Sequence, residues 1–146
     1  MTKLSSDDDM SKIEVTACDG ASSFLCDPYV GHWEFSETVR ALESFVAGGP
    51  DGSVELRWRE LGPDYGLAAF HAAMEFRQLG KIQVAVMARS DRFEFGGREV
   101  AAEAKLFFVT EPALFDDFLR GLRALRDGLS DTAELSGLRP FQMAWP

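Results

Sequence analysis

Cysteine, positive charge and long apolar runs are all scarce in this chain of 146 residues. Its two cysteines, Cys18 and Cys26, are too few for a disulfide scaffold or a zinc site. We expect both to be reduced and partly buried, and a bridge between them is the less favoured alternative. No apolar run approaches the ~20 residues that span a bilayer, and the polar first residues lack the apolar stretch of a secretion signal. These features predict a soluble, cytoplasmic protein.

Basic residues are outnumbered by acidic ones. Lysine and arginine total 15, whereas aspartate and glutamate total 24, which gives a net charge of −9. Because lysine and arginine supply the affinity of proteins for phosphates, a surface of this sign repels nucleic acids and anionic membranes. The charge therefore argues against both as partners and favours a basic protein partner.

The chain nevertheless has enough apolar residues to form a core. Hydrophobic residues make up 46% of the sequence and charged residues 27%, which is typical of a globular domain and not of a disordered segment. The length suits a single domain. We expect a disordered acidic N-terminus over residues 1–11, one α+β domain over residues 12–127, and a partly docked C-terminal tail over residues 128–146.

Alternation of apolar and polar residues predicts most of the strands. Apolar side chains occupy every second position in five segments, which are residues 13–18, 54–61, 67–77, 82–89 and 100–108. Short turns connect most of these segments, and successive strands joined in this way pair antiparallel. One apolar face on each strand predicts a sheet with one packed face and one wet face.

Two amphipathic helices complete the pattern. Ser36 is a good N-cap for the first helix, which stops at Gly48. Thr110 is the expected cap of the second, which has Pro112 in its first turn and ends at Gly128. We predict an α+β fold in which an antiparallel β-sheet of five to six strands packs two amphipathic helices on one face. The expected core residues are Leu42, Val46, Phe70, Met74, Val84, Val86, Leu106, Phe108, Phe118 and Leu122.

Residues that commonly carry catalysis are sparse. We interpret the two histidines, His32 and His71, as half-exposed strand residues, and a catalytic or metal-binding role is the alternative. The sequence has no zinc or calcium motif, no nucleophile elbow and no phosphate-binding loop. We therefore expect no catalytic residue, no metal site and no cofactor.

Carboxylates and aromatic residues remain as candidates for a binding surface. Glu94 and Glu99 flank a turn at Gly96-Gly97, so a hairpin would bring them close together. Charged residues that protect a solvated sheet edge are the simpler interpretation. With the outward Glu103 and with Tyr65 near a predicted loop, these two carboxylates are our predicted partner-binding residues.

The order of motifs resembles a known family. The chain from Cys26-Asp27-Pro28 to Trp33-Glu34-Phe35, the helix at Thr38–Phe45, the strand pairs and the closing helix at Leu114–Leu125 resemble the WapI-type bacterial immunity proteins and related small bacterial domains of unknown function. The likeness covers roughly residues 13–127 and rests on element order and on aromatic and aliphatic positions. It implies a cytoplasmic protein that binds and neutralises a toxin domain, and it implies no catalytic residues.

Two functions from different classes follow. The first is a non-enzymatic protein-binding module, namely an immunity protein that neutralises a basic toxin domain such as a nuclease. The alternative is a small-molecule-binding domain or an enzyme with a pocket between the sheet and the helices near His71.

Overall fold

The computed structural model describes residues 1–49, 51–61, 66–77 and 80–138. The helices in this part of the chain are α1 (His32–Ala47) and α2 (Pro112–Arg126). The strands, in chain order, are β1 (Thr2–Ser6), β2 (Met10–Cys18), β3 (Ser23–Cys26), β4 (Tyr29–Gly31), β5 (Ser53–Trp58), β6 (Ala69–Phe76), β7 (Ile82–Arg89), β8 (Phe93–Phe95), β9 (Arg98–Val100) and β10 (Glu103–Thr110).

The main sheet is antiparallel and has the strand order β10-β7-β6-β5. Its strands come from the alternating segments of the sequence, so apolar residues of one parity share a face. On this inner face Leu106 is paired with Val86, and Val86 is paired with Ala72; all three are buried. The predicted α+β class with antiparallel strands is confirmed. The described strands number ten and form three separate sheets.

The two helices cover the inner face of the main sheet. The ring of Phe35 in α1 stacks on Trp58 of β5 with 5.7 Å between centroids, and Trp58 Nε1 donates a hydrogen bond to Thr38 Oγ1 over 3.1 Å. Phe45 of α1 meets Phe115 of α2 edge to face, again with 5.7 Å between centroids. The core therefore lies between the helices and the sheet, and buried residues of β2 extend it.

α1 begins before Ser36, the N-cap that we expected. Gly31 occupies the cap position in extended backbone, and its N–H donates to a side-chain oxygen of Glu34 over 3.4 Å. The N–H of His32 donates to the backbone oxygen of Asp9 over 2.9 Å. These bonds satisfy two amides at the start of the helix, so no serine cap is required. Trp33 consequently lies in the first turn of α1 and is 77% exposed.

The N-terminus forms a strand, whereas we expected residues 1–11 to be disordered. β1 pairs antiparallel with one edge of β2, and β3 and β4 follow each other along the opposite edge. In the turn between β1 and β2, an Asp7 carboxylate oxygen accepts hydrogen bonds from the N–H groups of Asp9 and Met10 over 2.9 and 2.8 Å. These bonds hold the pKa of Asp7 below its usual range. The acidic run is therefore a turn, which its composition did not indicate.

A short segment after α2 crosses to the edge of the main sheet. We call residues 132–138 the C-terminal strap. Each end is held by an antiparallel bridge, Thr132 to Thr2 and Leu138 to Val109. The hydroxyl of Thr110 donates to the backbone oxygen of Ser136 over 2.7 Å. We expected Thr110 to cap α2. It is instead the last residue of β10, and Glu111 occupies the cap position.

The two cysteines are free. Cys26 is buried and is paired with Val15 on β2, whereas Cys18 is exposed and is paired with Ser23 on β3. The offset of three residues along the strand places them about 10 Å apart, too far for a bridge. Burial raises the pKa of the Cys26 thiol to about 12.

Candidate functional site

The chain between β7 and β10 forms a separate two-stranded hairpin, which a bulge divides from the main sheet. At the bulge the pairing register shifts by one residue. Two residues, Asp91 and Arg92, therefore stand opposite a single residue of the returning chain. Beyond the bulge, β8 pairs with β9 through a turn in which Gly96 and Gly97 both have positive φ, 61° and 83°. Glycine is suited to this conformation, which is typical of a tight hairpin. We call residues 93–100 the arm.

One face of the arm is aromatic. Successive residues of a strand point to opposite faces, and directly opposed residues share a face. Phe93 and Phe95 therefore lie together, opposite Val100 and Arg98 respectively. Phe93 is 48% exposed and Phe95 is 65% exposed. Aromatic residues are enriched in the buried centres of protein interfaces, so this face has the composition of a binding surface.

The other face of the arm carries two carboxylates. Glu94 and Glu99 are directly opposed, as we expected from the hairpin pattern. Like charges in direct opposition destabilise a strand pair. Within the part of the chain that the structure describes, neither carboxylate forms an ion pair. A cationic group of a partner would relieve this repulsion.

The other two predicted binding residues are placed differently. Glu103 is exposed at the start of β10 and opposite Arg89, which puts it on the main sheet and not on the arm. Tyr65 lies outside the described residues. Phe93 and Phe95 were not among the binding residues predicted from the sequence. Their alternation with Glu94 immediately before the Gly-Gly turn is the signal that could have identified them.

The ion pairs of the described residues leave the surface negative. Within each of these ion pairs one cation is matched to one carboxylate; the pairs are Lys12–Asp27, Arg40–Glu37, Arg57–Glu55, Arg77–Glu75, Lys81–Glu111, Arg120–Asp117, Arg123–Glu43 and Arg126–Asp127. Most are solvent-exposed and contribute little to stability. Because acidic residues are in excess, the carboxylates of the arm belong to a surplus of negative charge, which attracts positively charged groups.

A cavity of about 650 Å³ lies against the inner face of the main sheet. Apolar residues of this face, among them Ala72 and Val84, form one wall, and β2 with the C-terminal strap forms the other. The cavity opens to solvent at a rim that includes Asp19 and Glu134. This cavity was not predicted from the sequence.

His71 does not face the space between the sheet and the helices, where the alternative function that we considered would require it. His71 is on the outer face of the main sheet, opposite Arg57 and Met87. Its Nε2 donates a hydrogen bond to the backbone oxygen of Arg59 over 2.6 Å. Because alternate residues of β6 point to opposite sides, His71 faces away from the cavity, and it is not among the described residues that line the cavity.

His32 lies in a smaller crevice of about 300 Å³. Its Nε2 is 3.1 Å from the hydroxyl of Ser6, which accepts a hydrogen bond from Ser11 Oγ over 3.1 Å. Nucleophilic catalysis by serine and histidine needs a third group that orients the imidazole. No described carboxylate hydrogen bonds to His32, so the contact is a polar cluster at the start of α1 and not a catalytic triad.

Among the described residues, no group of three or more His, Cys, Asp or Glu side chains is placed to hold a metal ion. Neither described helix has the length and apolar character needed to cross a membrane. The chain matches no family model, no curated protein and no solved structure. The arm and the cavity are therefore the features from which a function is inferred.

Proposed function

We propose that this chain is a non-enzymatic protein-binding module, and specifically an immunity protein that neutralises a basic toxin domain. The arm is the observation that carries the proposal. It makes its main contacts within itself and leaves two phenylalanines exposed, so it contributes little to the stability of the free chain. A partner that covers the arm would bury these two side chains, as expected of an exposed apolar patch that binds another protein.

The two faces of the arm have different roles in this proposal. The phenylalanine face supplies buried anchors, which set how slowly the complex dissociates. The carboxylate face, with the net charge of −9, attracts a basic domain over long range. If the toxin acts on a polyanion such as nucleic acid, Glu94 and Glu99 take the place of two substrate phosphates and block its access.

Co-expression in bacterial cells tests the proposal. We expect the reading frame next to this chain to encode a large protein that ends in a toxin domain, which we call the cognate domain. Cells that produce the cognate domain alone should die, and cells that also produce this chain should grow. If the cognate domain kills cells equally well with and without this chain, the proposal is wrong.

Matched variants separate a role of the arm from a general effect of exposed apolar residues. The test variant is Phe93→Ser with Phe95→Ser, which removes the anchors and leaves both arm carboxylates in place. The control variant is Leu25→Ser with Leu129→Ser, which removes two exposed apolar side chains outside the arm. We expect the test variant to lose protection and the control variant to retain it. The reverse result would place the interface elsewhere.

A further inference from the structure

We propose that the cavity against the inner face of the main sheet binds a small apolar molecule with a cationic end. This site is separate from the proposed function, because none of the arm residues lines the cavity. The size of the cavity, the chemistry of its walls and the charge at its rim support this proposal.

The size and the walls suit an apolar ligand. A volume of about 650 Å³ falls within the range of roughly 300–1,000 Å³ that small-molecule sites occupy. The inner wall includes Leu56, Ala72, Met74, Val84 and Val86, all of them buried. These side chains offer no hydrogen-bonding group to water, so an apolar body is favoured over solvent in this space.

The outer wall is closely fitted. Gly137 of the C-terminal strap lies so near β10 that an added Cβ would stand 3.0 Å from the Phe108 ring and 3.2 Å from the backbone oxygen of Val109. At the other end of the strap, the N–H of Ala133 donates to the backbone oxygen of Met1 over 2.9 Å. The strap is therefore held on both sides, which makes the cavity a preformed space.

The rim disfavours an anion. No lysine or arginine is among the described residues that line the cavity, whereas Asp19 and Glu134 are. An Asp19 carboxylate oxygen accepts hydrogen bonds from the N–H groups of Ala21 and Ser22, which lower the pKa of Asp19 and keep it ionised. The amino group of Met1 donates to the backbone oxygen of Ala133, and burial lowers its pKa. The Met1 ammonium offsets one of the two rim carboxylates, so a cationic end on the ligand would meet a net negative charge.

Thermal denaturation with three probes of the same chain length tests this inference. The probes are octylamine, octanol and octanoate at equal millimolar concentration, each below the concentration at which it forms micelles. A ligand that binds only the folded state raises the melting temperature. We expect octylamine to raise it by at least about 2 °C, octanol to raise it less, and octanoate to leave it unchanged.

Two neighbouring alanines of β6 provide a matched pair of variants. Ala72 faces the cavity, and Ala73 lies exposed on the outer face of the same strand. Ala72→Leu should fill part of the cavity and abolish the shift with octylamine, whereas Ala73→Leu should keep it. If Ala72→Leu does not fold, Val84→Leu adds less volume to the same wall and replaces it. Asp19→Asn retains the turn, removes the charge and should reduce the octylamine shift.

Three results would overturn the proposal. Octylamine that leaves the melting temperature unchanged would show that the cavity does not bind this class of ligand. An equal shift in the wild type and in the cavity-filling variant would show that the amine binds to the acidic surface. An equal shift with octanoate would show that the rim does not select a cation. All three tests use the chain alone, so they do not depend on the cognate domain.

Discussion

At the scale of single residues, Leu122 tests the placement of α2. Its side chain is fully buried. Leu122→Ala removes apolar contacts and leaves a cavity, so we expect the free energy of unfolding to fall by ~2–5 kcal/mol in a urea titration. The control is Leu129→Ala, because Leu129 is 82% exposed just beyond α2. We expect the control to stay within about 0.5 kcal/mol of the wild type. A loss below ~1 kcal/mol in Leu122→Ala would contradict the packing.

The two thiols should differ in reactivity. Cys18 is exposed, whereas burial raises the pKa of Cys26 to about 12 and keeps its thiol protonated at ordinary pH. Since the thiolate is the reactive form, we expect one equivalent of thiol to react with a disulfide reagent near neutral pH, and two after denaturation. Cys18→Ser should leave the native chain unreactive. Rapid reaction of that variant would show that Cys26 is accessible.

The same shift in pKa makes stability depend on pH. A thiol with an ordinary pKa of 9.0 ionises first in the unfolded chain, because the folded chain holds the pKa of Cys26 higher. The contribution of Cys26 is therefore fully present below pH 9.0 and is lost as the pH rises toward about 12. Urea titrations of the wild type and Cys26→Ala across this range measure the difference. A difference that does not vary with pH would contradict the assignment.

The burial of single residues followed from periodicity where packing is local. Met74 and Phe118 are buried as their strand and helix patterns predicted. Alternation along β10 places Val109 on the outer face of the main sheet. It is nevertheless buried, because Leu138 of the strap pairs with it. Trp33 lies exposed in the first turn of α1, which begins earlier than the expected serine cap. Contacts between distant parts of the sequence and the choice of cap do not appear in a local pattern.

At the scale of elements, the arm should open before the strands of the main sheet. β8 and β9 make their main contacts with each other, whereas β7 and β10 bury residues in the core. Backbone amides exchange with solvent faster where few apolar contacts hold a segment closed. We expect the amides of Phe95 and Arg98 to exchange faster than those of Val86 and Leu106. Equal protection in a hydrogen-exchange experiment would show that the arm packs against the domain.

Elements were predictable where a run of alternating residues was long. The four strands of the main sheet follow from such runs and both helices from amphipathic patterns, although the ends of these elements moved by several residues. β1 was not predicted, because it depends on the turn that the carboxylate of Asp7 stabilises. The bulge before the arm was not predicted either, because a single extra residue leaves no periodic signal.

At the scale of the whole molecule, the sequence predicted the class of the fold and part of the candidate interface. Glu94 and Glu99 meet because a short hairpin joins them, which is local information. The cavity could not be predicted, because its walls come from β2, the main sheet and the strap, which lie far apart along the chain. Its shape depends on how these three layers stack.

The most direct test of the proposed function is a calorimetric titration of the cognate domain into this chain and its variants. We expect tight binding by the wild type that weakens as salt is raised, since long-range attraction is screened. Phe93→Ser with Phe95→Ser should weaken binding at least tenfold, or about 1.4 kcal/mol, at an unchanged melting temperature. The control with Leu25→Ser and Leu129→Ser should bind like the wild type. Equal affinity of the arm variant and the wild type would contradict the account.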